Sequence, residues 1–190
     1  MRILKHSDHK RMPWKNGQGV TEEVASFPPG SDISNFGWRL SIAHVGADGP
    51  FSVFAGIDRT IALLDGDGLC LDLPDSTKEL DPKGEPFAFS GDLDISSRNK
   101  GGPTIDLNIM TRRGQFRHVM RRFCGEPIVS DDEDAVRLFV FNATTSMVID
   151  GQAIVFDRFD ALLLGEANSN IALTGHAVTD VLAITIYRVD

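Results

Sequence analysis

Apolar residues recur at every second position through most of the chain. In "FGWRLSIAHV" (36–45), Phe36, Trp38, Leu40 and Ile42 fall on one face, and Arg39, Ser41 and Ala43 on the other. That period matches a half-buried strand, whose side chains alternate between two faces. "TIALLDGDGLCLDL" (60–73) reads as two short strands joined by a Gly-Asp-Gly hairpin turn. The alternation continues through "PFAFSGDLDI", "PTIDLNIMTR", "VRLFVFN", "SMVID", "QAIVFDRFDALLL", "NIALTG" and "DVLAITIYRV", with turn residues between them. No window sustains a 3.6-residue stripe. The chain is predicted to be all-β, a sandwich or barrel.

The two halves echo each other. "RTIALLDGDGLCLDL" leads to "EPFAFSGDLDI" and then "TIDLNIM", as "RLFVFNATTSMVID" leads to "AIVFDRFDALLL" and then "DVLAITI". Each half runs strand, turn, strand, a phenylalanine-bearing strand entering an acidic turn (Asp92, Asp160), and a last apolar strand. This order predicts an internal duplication, with lobes over 1–115 and 116–190 sharing one hydrophobic core. In this alignment Asp106 falls on Leu182 and Asn108 on Ile184, so one strand is polar inward in the first lobe and apolar in the second. Near the boundary, "RRGQFRHVMRR" (112–122) reads as a solvated connector, and "DDED" (131–134) as a solvated loop.

Composition narrows the function. The 190 residues suffice for a sizeable core without staples, and 42% of them are apolar. A net charge of −8 argues against nucleic-acid or anionic-membrane partners, both of which need a positive face. No apolar run reaches the roughly 18 residues of a membrane span, and "MRILKHSDHKRM" lacks the apolar centre of a secretory signal. A cytoplasmic protein is expected. Cys70 and Cys124 are isolated and read as free thiols, Cys70 as a small buried hydrophobe.

Three clusters carry a resemblance: "PWKNGQGVTEEVA" (13–25), "GWRLSIAHVGADGPFSVFAGIDRTIALLDGDGL" (37–69), and "PFAFSGD" (86–92) followed by "DLNIMTRR" (106–113). As a set they resemble the bacterial HutD/Ves family, closely over the first 115 residues and in outline beyond. The resemblance implies a cupin-like double-stranded β-helix (jelly roll), two-lobed as a bicupin. It implies an association with histidine-utilisation operons or stress, and no defined catalytic activity.

Cupin metal sites are commonly built on an HxH pair, a following glutamate and a later histidine. Here the histidines are His6, His9, His44, His118 and His176, and none forms HxH. No metal and no other cofactor is therefore expected. There is no nucleophile elbow, no phosphate-cradling loop and no Cys/His pair, so no catalytic residue is assigned.

What remains is a polar set in a β framework. Lys15 and Asn16 sit in a loop where Gly17 and Gly19 permit close approach. Arg39 and Ser41 share a strand face, as do Asp106 and Asn108; each pair could face a pocket, solvent or a neighbouring loop. Trp38, whose ring suits a core as well as a ligand platform, completes the candidate ligand set of Lys15, Asn16, Trp38, Arg39, Ser41, Asp106 and Asn108. Arg59 reads as a structural salt-bridge former, and His44 as a core histidine. The set fits a small carboxylate, held by Lys15 and Arg39 with Arg39 as an exposed pocket group. The alternative is a metal-free enzyme acting on a histidine-degradation intermediate, with Asp106 or His44 as acid or base. A homodimer is compatible with either.

Overall fold

A computed structural model describes residues 1–124, 135–149, 151–165, 173–175 and 180–189, with 173–175 as backbone alone. The acidic run 131–134 and His176 lie outside the described residues. The strands are β1 (Arg2–Leu4), β2 (Lys10–Pro13), β3 (Gly19–Phe27), β4 (Trp38–Val45), β5 (Gly49–Pro50), β6 (Ile57–Asp65), β7 (Leu69–Leu73), β8 (Ser76–Leu80) and β9 (Phe87–Ser90). They continue as β10 (Ser96–Asn99), β11 (Thr104–Arg112), β12 (Phe116–Phe123), β13 (Val136–Phe141), β14 (Thr145–Ile149), β15 (Gln152–Phe156), β16 (Ala161–Leu164), β17 (Leu173–Gly175) and β18 (Val181–Arg188). The helical content among the described residues is one 3-10 turn, His6–Asp8. The protein is all-β. No described helix is long and apolar enough to cross a membrane.

The chain divides into two compact units, Lys10–Arg117 with Val189–Asp190, and Met1–His9 with His118–Arg188. The first has a six-stranded sheet in the order β2-β3-β4-β11-β6-β9 and a four-stranded sheet in the order β5-β10-β7-β8. Its pairings are antiparallel throughout. Ile61 and Leu63 from β6 pack with Leu69 and Leu71 from β7, Leu80 from β8 and Ile95. Burying such a side chain is worth about 1.5–3 kcal/mol, so this cluster ties the two sheets together. The Gly66–Gly68 turn is not a hairpin. β6 pairs with β11 and β9 while β7 pairs with β10 and β8, so the turn carries the chain from one sheet to the other. Gly66 and Gly68 take φ of 105° and 144°, a region that favours glycine.

The second unit has a five-stranded sheet, β1-β16-β13-β18-β12, and a three-stranded one, β15-β14-β17. Its core joins Phe139, Phe141, Met147, Phe156, Leu162 and Val181, with the Phe141 and Phe156 rings stacked 4.1 Å apart. The segment 112–122 is not a solvated connector: most of it is β12, with Phe116, Met120 and Arg122 buried. Arg122 Nε donates to Asp180 Oδ1 at 2.9 Å, which explains how an arginine can sit there.

Candidate functional site

The inward face of the six-stranded sheet starts apolar and turns polar. β11 lies between β4 and β6, and its register sets residues in rows across three strands. Arg39, Met110 and Arg59 form one row; Ser41, Asn108 and Ile61 the next; Ala43, Asp106 and Leu63 the third. Alternation puts all of these on one face; Ile61 and Leu63 enter the core, and the other seven border a cavity of about 740 Å³ together with the β2–β3 turn and the loops after β3 and β5. The cavity also takes Lys10, Thr21, Glu23 and Phe51 into its wall. Two register irregularities adjoin it, between Glu23 and Ala25 on β3 and between Ile105 and Asp106 on β11. In each the extra residue, Val24 on β3 and Leu64 on β6, is left out of the pairing.

Six of the seven candidate residues border this one cavity: Lys15, Asn16, Arg39, Ser41, Asp106 and Asn108. Trp38 does not. It stands on the opposite face of β4 and stacks on Phe27, its cross-strand partner, with centroids 6.1 Å apart. Arg39 is not an exposed pocket cation either. It is buried, and its Nε donates to Glu23 Oε2 at 2.7 Å, so its charge is already matched. His44 also faces away from the cavity, and its Nε2 lies 3.0 Å from an oxygen of the fully buried Glu22. That placement removes it as an acid or base for anything bound here.

The opening loop has a definite shape. Trp14 N donates to Gly19 O at 2.9 Å and Gly17 N to Trp14 O at 3.0 Å, with Gly17 at φ 71°. Asn16 Oδ1 accepts from Gln18 N at 3.1 Å, so its side chain holds the turn. Lys15 is left exposed at the cavity rim.

The residue that sequence reasoning missed is Arg59. It forms no ion pair among the described residues, contrary to the expected salt bridge. Its guanidinium carbon instead sits 5.2, 5.4 and 5.0 Å from the ring centroids of Phe51, Phe54 and Phe89. Nη1 donates to Ser52 O at 3.1 Å, and Nε is buried without a partner. Burial pushes its pKa down to about 10, Asp106 opposing and Arg39 adding to the shift. A signal existed: Arg59 shares parity with Ile61 and Leu63, so it had to point inward with them.

Asp106 is the chemical counterpart of Arg59. It is 2% exposed, accepts no hydrogen bond, and has Ala43 and Leu63 as its cross-strand neighbours. Burial pushes its carboxyl up to about 7, with the Arg59 charge pulling the other way. Asn108 Oδ1 and Ser31 Oγ are also buried without partners and border the cavity. An unmade bond of this kind costs about 1–3 kcal/mol, and with Arg59 Nε three such atoms border the one cavity. In the second unit, by contrast, Val181 and Ala183 of β18 join the core between the sheets. Leu182 and Ile184, which the sequence pattern set opposite Asp106 and Asn108, are buried but have the other parity on β18 from Val181 and Ala183.

A family model described as HutD matches residues 6–183. The chain belongs to the HutD family. An uncharacterised 21.2 kDa protein in the hutC 3′ region of Pseudomonas putida is 34% identical over 154 residues, which span 81% of this chain and 80% of that protein. Protein Ves of Citrobacter koseri is 36% identical over 122 residues, 62% of this chain and 63% of that protein. HutD from Pseudomonas fluorescens SBW25, whose structure is described by a formate condition, has a TM-score of 0.81 at 30% identity over 98% of both chains. Two more distant structures, a cupin 2 protein from Leptotrichia buccalis (TM-score 0.57, 10% identity) and the nickel(II)-bound pirin YhhW of Escherichia coli (0.65, 12%), show that this HutD-family chain has a cupin-like fold.

Proposed function

We propose that this protein is a cytoplasmic binding protein for a small carboxylate metabolite, which it senses or holds on behalf of histidine utilisation. The observation that carries the reading is Arg59: a buried guanidinium stacked among three phenylalanines, with an unused N–H at a polar cavity. Guanidinium suits carboxylate because its planar donors can engage both oxygens. Ser31 Oγ is a further unpaired group able to donate, Asn108 Oδ1 can accept from an N–H or O–H elsewhere on the metabolite, and Lys10 and Lys15 add positive charge in the wall. The P. putida relative in the hutC 3′ region supports the metabolic setting.

The donor set favours chemistry without a transition metal. The cavity wall offers carboxylates but no histidine or cysteine, so it lacks the imidazoles or thiolates that hold such ions. We also infer an internal duplication. β9-β6-β11-β4 in one unit matches β16-β13-β18-β12 in the other, and β8-β7-β10 matches β15-β14-β17.

A thermal-shift screen with urocanate, formylglutamate and formiminoglutamate tests the reading. A ligand at 100 times its Kd should stabilise the fold by about 2.7 kcal/mol. If none of them, nor any other small carboxylate, shifts the melting point, the reading fails. One observation favours a second reading, a metal-free enzyme. Asp106, raised to about 7, is poised to exchange a proton near neutrality. Turnover of any of the three compounds, lost in Asp106→Asn, would select that reading.

A further inference from the structure

Asp106 poses a problem for any anion entering this cavity, because a buried carboxylate beside it would repel the ligand. We propose that the site binds its anion only with Asp106 protonated, the acid O–H donating a hydrogen bond to the ligand, so that binding takes up one proton. This inference rests on the carboxylate-binding reading above and names how that site selects its ligand.

The geometry leaves Asp106 few other options. Its cross-strand neighbours, Ala43 and Leu63, carry no side-chain donor, and the carboxyl accepts no hydrogen bond. The charged groups sharing the cavity are Lys10 on β2, Lys15 in the β2–β3 turn, Glu23 on β3, Asp32 in the β3–β4 loop, Arg39 on β4 and Arg59 on β6. Arg39 is matched by Glu23 at 2.7 Å. That leaves Arg59 as the buried cation without a contacting acid, and it acts on Asp106 through space. An arriving carboxylate would compete with Asp106 for that one charge. Protonating Asp106 resolves the competition: Arg59 serves the ligand, and the neutral acid becomes a donor. The cavity wall holds no histidine, so proton uptake near neutrality falls to Asp106, which burial already holds at about 7.

Formate is a suitable probe, since it stays ionised from pH 6.0 to 8.5. Its affinity should be measured across that range by NMR titration at constant ionic strength. Linkage to a group titrating at about 7 should weaken wild-type binding roughly thirtyfold between the two ends. Asp106→Asn should bind with little pH dependence, because the amide donates at every pH. Calorimetry of the wild type at pH 8 in buffers of different ionisation heat should show about one proton taken up per formate bound. That measurement keeps the test open if the variant does not fold. Flat wild-type affinity with no proton uptake overturns the inference and leaves the carboxylate site standing. Loss of binding in a folded Asp106→Asn at all pH values also overturns it. Failure of formate to bind either protein at any pH overturns the carboxylate reading as well.

Discussion

Replacing Arg59 by methionine separates a binding arginine from a structural one. Methionine keeps the length and can lie against Phe51, Phe54 and Phe89, while the charge disappears. The folded protein loses cation–π attraction of roughly 0.5–2 kcal/mol per ring at most, and the bond to Ser52 O, worth about 1.5–3 kcal/mol. That bond is only partly buried, so water can replace part of it. On the other side, the variant no longer buries a charge, a penalty of several kcal/mol, and no longer leaves Nε unpaired. These opposing terms should leave stability within about 1–2 kcal/mol of wild type in urea denaturation, on either side of zero. Binding should respond differently. Loss of a charge-assisted bond of about 1.5–3 kcal/mol weakens a bound carboxylate roughly 10- to 150-fold by calorimetry. A variant that loses more than about 3 kcal/mol of stability while keeping its ligand would show that Arg59 holds the fold and not the ligand.

Further outcomes follow from the same geometry. Arg39→Ala should destabilise the unliganded protein by about 2–4 kcal/mol in denaturant melts, because it strands Glu23; Glu23→Gln in the same chain should recover part of the loss. Asp106 has a folded pKa raised to about 7 against an unfolded value near 3.9, so its contribution is fully present below about pH 4 and is lost as pH rises through 7. Asp106→Asn should therefore flatten the fall in stability between pH 4 and 7, gaining on the order of 3–4 kcal/mol over wild type at pH 8. Gly19→Ala should lower the melting point and disturb Trp14 fluorescence, since a Cβ there would come within 2.6 Å of His44 O and 2.8 Å of the Trp14 ring.

Period-two alternation carried the fold because strands with one buried face must show it: β4, β6, β11, β13 and β18 all lie where the pattern placed them. It failed where charge density hid the period, as in β12, whose buried Phe116, Met120 and Arg122 are interleaved with exposed arginines. It failed too at the Gly66–Gly68 turn, because a local sequence does not say whether two strands pair with each other or with distant partners. In the site, parity brought Arg39, Ser41, Asp106 and Asn108 together, and the same parity should have excluded Trp38. The Glu23 bond to Arg39 was not legible, since it requires knowing that β3 pairs with β4 with Glu23 opposite Ser41. The phenylalanine box around Arg59 draws on the β5–β6 loop and β9, segments whose meeting only the folded chain reveals.

The most direct test is a crystal structure with whichever small carboxylate gives the largest melting shift. The account expects a ligand carboxylate oxygen within about 3 Å of Arg59 Nε, with Asn108 in hydrogen-bond reach of the same molecule. A ligand bound elsewhere, for instance in the separate cleft of about 520 Å³ bordered by His44 and Asp65, with Arg59 Nε still unpaired, would contradict it.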